Sequence, residues 1–338
     1  MAEPIDWDLA LATGVRTAPG GPDVSMTQAA DEVAALRAAA REVVAPVARI
    51  TGLHADGSAP AVVVDRAEWV RSNTEALRRL VSPLTEANSA GGGLLGPVTA
   101  RVAAVQVGLA FGWLSSKVLG QYEVLPGSDE GEPRLLLVAP NIVTAADAMG
   151  VDAHDFRLWV CMHEETHRVQ FGANPWLAEY FASEVAVLVA DLDVSPAEAL
   201  RRVASGLRRR ESGGIATWVQ SEQMRSRMSG LVALMSLLEG HADWVMDQSG
   251  DVVPSALALR AAFEQRRRSS SLVDSVIRQL LGLDAKMAQY RDGAAFVRAV
   301  VAEVGLDGFN RIWTSPATLP LASEIHHPAA WIARVRAF

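Results

Sequence analysis

The 338-residue chain has a single cysteine, Cys161, so no intrachain disulfide and no cysteine-rich zinc site can form. Lysine is nearly as scarce. Lys117 and Lys286 are the only two, and arginine supplies the other 29 of the 31 basic residues. Neither lysine ends a G-x-x-x-x-G-K-[ST] run, which argues against a P-loop nucleotidase. The G-x-S-x-G elbow is absent as well, lowering the case for a serine hydrolase. Positive charge is in deficit: the net charge of −8 argues against nucleic acid as a main partner. The N-terminus, Met1 to Asp6, is acidic and has no basic-then-apolar signal. The longest apolar stretch, Leu94 to Ser115, is interrupted by Arg101 and Gln106 and reads as a buried helix rather than a membrane span. A cytoplasmic protein with no membrane partner is the expectation.

Half the residues are hydrophobic and 21% charged, so the chain can bury a sizeable core. Within it stands Val160-Cys161-Met162-His163-Glu164-Glu165-Thr166-His167-Arg168, an H-E-x-x-H motif. On a helix, residues four apart share a face, so His163 and His167 can offer imidazoles to one Zn²⁺. Glu164 is one step round from His163, within reach of a metal-bound water without being a ligand. The preceding Phe156 to Val160 is mostly apolar and unbroken by Gly or Pro, as a buried helix requires. Cys161 lies about 200° round from His163 and points away to pack.

Residues 1–25 hold Pro, Gly and small polar residues and read as an irregular arm; 26–338 reads as a single domain. In its first part, 26–175, a helix over Thr27–Val44 is capped by Thr27 or Ser25 and stops near Pro46. Ala61–Asp65 reads as a strand and Arg66–Val81 as a helix. The Gly91–Gly96 segment contains G-x-G-x-x-G, but no strand precedes it and Pro97 follows, so it is a loop rather than a dinucleotide site. Gln121–Leu125 and Arg134–Val138 flank Pro126–Gly131 as a β-hairpin, with the active helix capped by Asp152 or His154. An edge strand near such a helix could hold an extended peptide. The second part, 176–338, is almost wholly helical, with breaks near Ser195-Pro196, Gly213-Gly214, Gly250–Pro254 and Gly305–Gly308. The expected class is α+β, mainly α, with a small sheet and the H-E-x-x-H helix packed in the middle.

A catalytic zinc site needs a third protein ligand. The extension to G-x-x-H fails, because position 170 is Gln and 173 is Ala. Glu179 and Glu184 lie 12 and 17 residues past His167, at spacings a helix-turn-helix return allows. The stronger candidate is Glu239 in Leu238-Glu239-Gly240-His241-Ala242-Asp243, where polar groups interrupt an apolar helix. Burying Glu239, His241 and Asp243 there costs several kcal/mol unless they are paired or hold a metal. With Glu239 as ligand, Asp243 lies one turn on, placed to accept a hydrogen bond from the far nitrogen of a zinc histidine. Zinc brings the pKa of its water toward about 7, and Glu164 takes the proton as that water attacks a carbonyl. The oxyanion needs a further donor. His241 is the candidate adopted, ahead of His326, His327, Tyr180 and Tyr122. Glu165 either points to solvent or raises the pKa of the zinc water.

The run His163–Phe171 with Pro175-Trp176-Leu177, Leu238–His241 and Leu280–Tyr290 resembles the zincin-like metallopeptidases of actinobacteria and relatives. That family is also labelled a domain of unknown function, or deazaflavin-cofactor-biosynthesis-associated. The resemblance runs from about residue 95 onward. It implies a zincin-type fold, with His163 and His167 as ligands, Glu164 as base and Glu239 as third ligand. The reading is a gluzincin-like zinc metallopeptidase acting on a peptide or protein substrate. The alternative is a catalytically silent zinc-binding scaffold or helper protein with the same fold.

Overall fold

The computed structural model describes residues 5–55, 61–87, 96–124, 133–191, 222–268 and 283–336. Helices α1 (Trp7–Thr17), α2 (Met26–Glu42) and α3 (Val44–Thr51) precede β1 (Ala61–Val64). Then come α4 (Arg66–Ala87), α5 (Gly96–Leu114), β2 (Gly120–Tyr122), β3 (Leu135–Val138) and α6 (Ala139–Met149). The rest is helical: α7 (Ala153–Gly172), α8 (Pro175–Asp191), α9 (Glu222–Asp247), α10 (Ala256–Arg268), α11 (Leu283–Asn310), α12 (Ala322–Ile325) and α13 (Pro328–Arg336). The chain is mainly α with a small sheet, as expected. It divides into two compact units of interleaved segments. One comprises Met1–Ala34, Ala59–Ala145 and Val185–Gly213; the other Ala35–Ser58, Ala146–Glu184 and Gly214–Phe338. The parts 26–175 and 176–338 do not coincide with these units, because each unit gathers segments distant in sequence.

In the first unit the sheet has the order β1-β3-β2. The expected hairpin pairing is present: β2 runs antiparallel to β3, with Gln121 opposite Leu136. β1 pairs parallel to β3 on its other side, Val62 opposite Leu136. All four β3 residues are buried, so this central strand reads as an unbroken apolar run. Trp69 and Val70 of α4 pack on Val64, Leu136 and Val138. The arm expected over 1–25 is a correction: α1 occupies Trp7–Thr17, and among the described residues of that stretch 5–6 and 18–25 lie outside a helix. Asp6 caps it, its Oδ1 accepting from the Leu9 amide at 3.1 Å. Ile5, Trp7 and Ala10 join Val81, Ala103, Ala104 and Val107 in one apolar cluster, which repays the ordering of this segment. α5 buries Ala100, Ala103, Ala104 and Val107 but exposes Val98, Val102, Val105 and Leu109, so one face only of the expected buried helix is covered. Among the described residues no helix is long and apolar enough to cross a membrane. The glycine-rich loop over 91–95 and the Pro126–Gly131 turn lie outside the described residues, as do the breaks at 195–196 and 213–214.

The second unit is built round α7, which packs against α3, α9 and α10. α9 in turn packs closely against α11. A Cβ on Gly240 would overlap the backbone of Gly293, and one on Gly293 would overlap the Ser236 carbonyl. Glycine at both positions lets the two helix backbones touch. Gly305, at φ 73°, breaks α11 within its span, near the expected Gly305–Gly308 interruption. The Gly250–Pro254 break also appears, as a 3-10 turn over Ser249–Asp251 before α10.

Candidate metal centre

α7 begins where the sequence placed it. Asp152 is its cap, with Oδ1 accepting from the Asp155 amide at 2.9 Å. Phe156, Leu158, Val160, Cys161 and Met162 are all buried, so the helix is enclosed on nearly every side. Polar groups that follow on such a helix must be paired. His163 and His167 are one turn apart with rings edge to face, and their Nε2 atoms are 3.2 Å from each other. α9 supplies Glu239, whose Oε2 lies 3.6 Å from His163 Nε2 and 3.9 Å from His167 Nε2. The point equidistant from three atoms so spaced is about 2.1 Å from each, the length of zinc–nitrogen and zinc–oxygen bonds. Two imidazoles and a carboxylate on that spacing could hold a metal ion.

The electrostatics of the three differ. Burial works to lower the His163 imidazole, but the Glu239 carboxylate, Glu164 and Asp243 outweigh it and hold it up at about 9. Burial lowers His167, against the pull of Glu239. Glu164 is 7% exposed; burial pushes its carboxyl up to about 7, against His163 and with a further push from Glu239. A carboxyl of that basicity, coupled to two of the three donor residues, can take up and release a proton near neutral pH.

A family model described as zincin-like metallopeptidase matches residues 5–332 of the chain. The chain belongs to the zincin-like metallopeptidase family. A solved structure from Chloroflexus aurantiacus, described as a candidate hydrolase with a novel fold, superposes with a TM-score of 0.68. The two are 29% identical, over 99% of each chain. No curated protein matches.

In this zincin-like protein the H-E-x-x-H residues and Glu239 come together, while three other expectations change. His241 is fully buried and cannot reach a substrate oxyanion. Its ring lies among Trp244, Phe309 and Trp313, at centroid distances of 5.9, 5.3 and 5.5 Å. The reason is helical phase: two residues past Glu239 is about 200° round, so a ligand facing the metal turns His241 into the core. Burial, with His167 adding to it, lowers His241 to about 3, and it is neutral. Asp243 accepts no hydrogen bond from a ligand histidine; it is half-exposed, with Oδ2 3.6 Å from Arg260 Nη1. One turn along α9 is about 6 Å, which carries it past the imidazoles. Glu165 neither faces solvent nor touches the donor set. It is 2% exposed and bound two-pronged by Arg168, with Nε 2.6 Å from Oε2. Of the alternative ligands, Glu179 is exposed and Glu184 binds Arg227 at 2.9 Å. His326 and His327 are exposed. Of the Leu280–Tyr290 stretch, 280–282 and the side chains of 283–290 lie outside the described residues.

One functional residue escaped the reading of the sequence. Gln170, fully buried, stands where Asp243 was expected, with Oε1 2.9 Å from His167 Nδ1. The cost of burying a polar side chain between Val169 and Phe171 was the signal that could have found it.

Proposed function

We propose that the protein is a zinc-dependent metallopeptidase that cleaves peptide or amide bonds of a peptide or protein substrate. The observation that carries the reading is the spacing of His163, His167 and Glu239 round one point, with the buried carboxyl of Glu164 beside them. Membership of the zincin-like family and a hydrolase-labelled structural neighbour support the same class. Zinc held by the three residues would polarise a carbonyl and supply a water acidic near neutrality.

The chain's own residues do the rest. Glu164, its carboxyl raised by burial, would take the proton of the attacking water and return it to the departing nitrogen. Glu239 and the two imidazoles, neutral when they hold a metal, carry one net negative charge and would leave the site cationic with a divalent ion bound, which would favour a developing oxyanion.

The test begins with metal analysis of protein purified without chelator, followed by turnover of a mixed peptide library by wild type and Glu164→Ala. Near-stoichiometric zinc is expected, with activity reduced on the order of 10² to 10⁴-fold in the variant. Zinc far below one per chain sinks the metal assignment. Unchanged turnover in Glu164→Ala sinks the role of the base. Stoichiometric zinc without cleavage of any peptide favours the silent zinc-binding scaffold.

A further inference from the structure

We propose that Gln170 is a positioning residue that locks His167 in its Nδ1–H tautomer and ties that ligand to the helix bearing Glu239. The inference rests on the reading of His167 as a metal ligand, but its geometry stands without a metal. The Gln170 amide makes three contacts, the two to α9 buried and the one to His167 part-buried. Its Oε1 is 2.9 Å from His167 Nδ1, and its Nε2 is 2.9 Å from the Leu238 carbonyl oxygen and 3.0 Å from His241 Nδ1.

The orientation of an amide and the tautomer of a histidine are usually assigned from their neighbours. Here one neighbour leaves no choice. The Leu238 carbonyl can only accept, so Nε2 must face it and Oε1 must face His167. An oxygen can only accept in turn, so His167 Nδ1 carries the hydrogen. A neutral imidazole protonated at Nδ1 has its lone pair at Nε2, the atom that faces His163 and Glu239.

The second Nε2 hydrogen needs an acceptor, and His241 Nδ1 provides it. That requires His241 to be neutral and protonated at Nε2; a charged His241 would point a hydrogen at a hydrogen. Its enclosure by Trp244, Phe309 and Trp313 keeps it so. The buried His241 thus acts on the metal site through Gln170 rather than on the substrate. Leu238 and His241 bracket Glu239 in sequence, so one amide holds α9 on both sides of its ligand and α7 at His167.

The decisive measurement is the tautomer of His167 in metal-free protein at mildly alkaline pH, read from the ¹⁵N shifts of its ring nitrogens. Wild type is expected to show a protonated Nδ1 and a bare Nε2. Gln170→Leu, which offers neither donor nor acceptor, should give a mixture of tautomers. It should also weaken zinc binding about 10- to 100-fold in competition with a chromophoric chelator. Gln170→Glu, ionised, presents His167 with oxygens that can only accept and should keep the Nδ1–H form, so it tests the lock even if Gln170→Leu does not fold. An unchanged tautomer in Gln170→Leu, or a bare Nδ1 in wild type or Gln170→Glu, overturns the proposal while leaving the zinc reading intact. A tautomer shift in a protein whose wild type takes no zinc leaves the lock standing and removes the metallopeptidase reading instead.

Discussion

The Glu165–Arg168 pair offers a clean test of how α7 tolerates charge inside the motif. Both residues are buried, 2% and 6% exposed, and the guanidinium meets both carboxylate oxygens one turn away. Replacing Arg168 by Met keeps much of the side-chain stem but leaves the Glu165 carboxylate buried without this counter-ion. Breaking a buried pair from one side costs about 3–5 kcal/mol, because the remaining charge is neither solvated nor paired. Stability of a typical domain is about 5–15 kcal/mol, so the loss is large. Urea unfolding of Arg168→Met near neutral pH should show this deficit. The double variant Glu165→Leu, Arg168→Met should recover most of the loss, since a packed apolar pair is often as stable as a buried ionic one. Zinc binding should survive in that double variant, as Glu165 does not belong to the donor set. A deficit below about 1 kcal/mol, or no recovery in the double variant, would refute the reasoning.

Gly240→Ala should cost more than the roughly 1–3 kcal/mol of ordinary overpacking, because the added Cβ meets backbone of α11 rather than a movable side chain. Since residue 240 follows Glu239 directly, zinc affinity should fall at least about tenfold; denaturant titration and chelator competition would show either effect to be missing. Glu324 is held by Arg334 Nε and Nη2 and by the Leu321 amide, each at 2.8 Å. Burial works against its ionisation, but these partners outweigh it and hold the carboxyl below its usual 4.5. A depressed folded value means the pair's stability is present above about pH 4.5 and is lost as pH falls through that lower value. Glu324→Gln should therefore lower stability near pH 7 by about 1–3 kcal/mol and flatten the acid limb of the stability–pH curve; an unchanged acid limb would count against the pair.

Much of the second unit was legible in the sequence because helical phase and burial cost are local properties. The cap at Asp152, the shared face of His163 and His167, and the choice of Glu239 over Glu184 all follow from residue spacing and from charges interrupting apolar runs. α1 was missed because Pro and Gly over 18–25 masked a short amphipathic turn whose stability comes from packing on α5, a contact across about 90 residues. The parallel partnership of β1 with β3 was likewise unreadable, since nothing in Ala61–Val64 names the strand it pairs with.

The errors at the site share one physical origin. The 200° rule that correctly turned Cys161 away from His163 applies equally to His241 against Glu239, and it sends His241 to the core. Asp243 stays near the ligand's face but lies a full turn farther along α9, where Arg260 meets it. The hydrogen-bond acceptor for His167 must then come from elsewhere. The nearest supply is its own helix one turn on, at the position where the extended zinc motif fails because it holds Gln. The extended motif's glycine there, and its third histidine at 173, were the wrong things to look for. Gln170, in place of that glycine, cannot serve the metal directly, but as an amide it can accept from His167 while donating twice to α9. A carboxylate could not make those donations, and an imidazole could not make both. With Glu239 arriving from α9 rather than α7, the centre needs a link between the two helices, and a buried amide meets that need with no added charge.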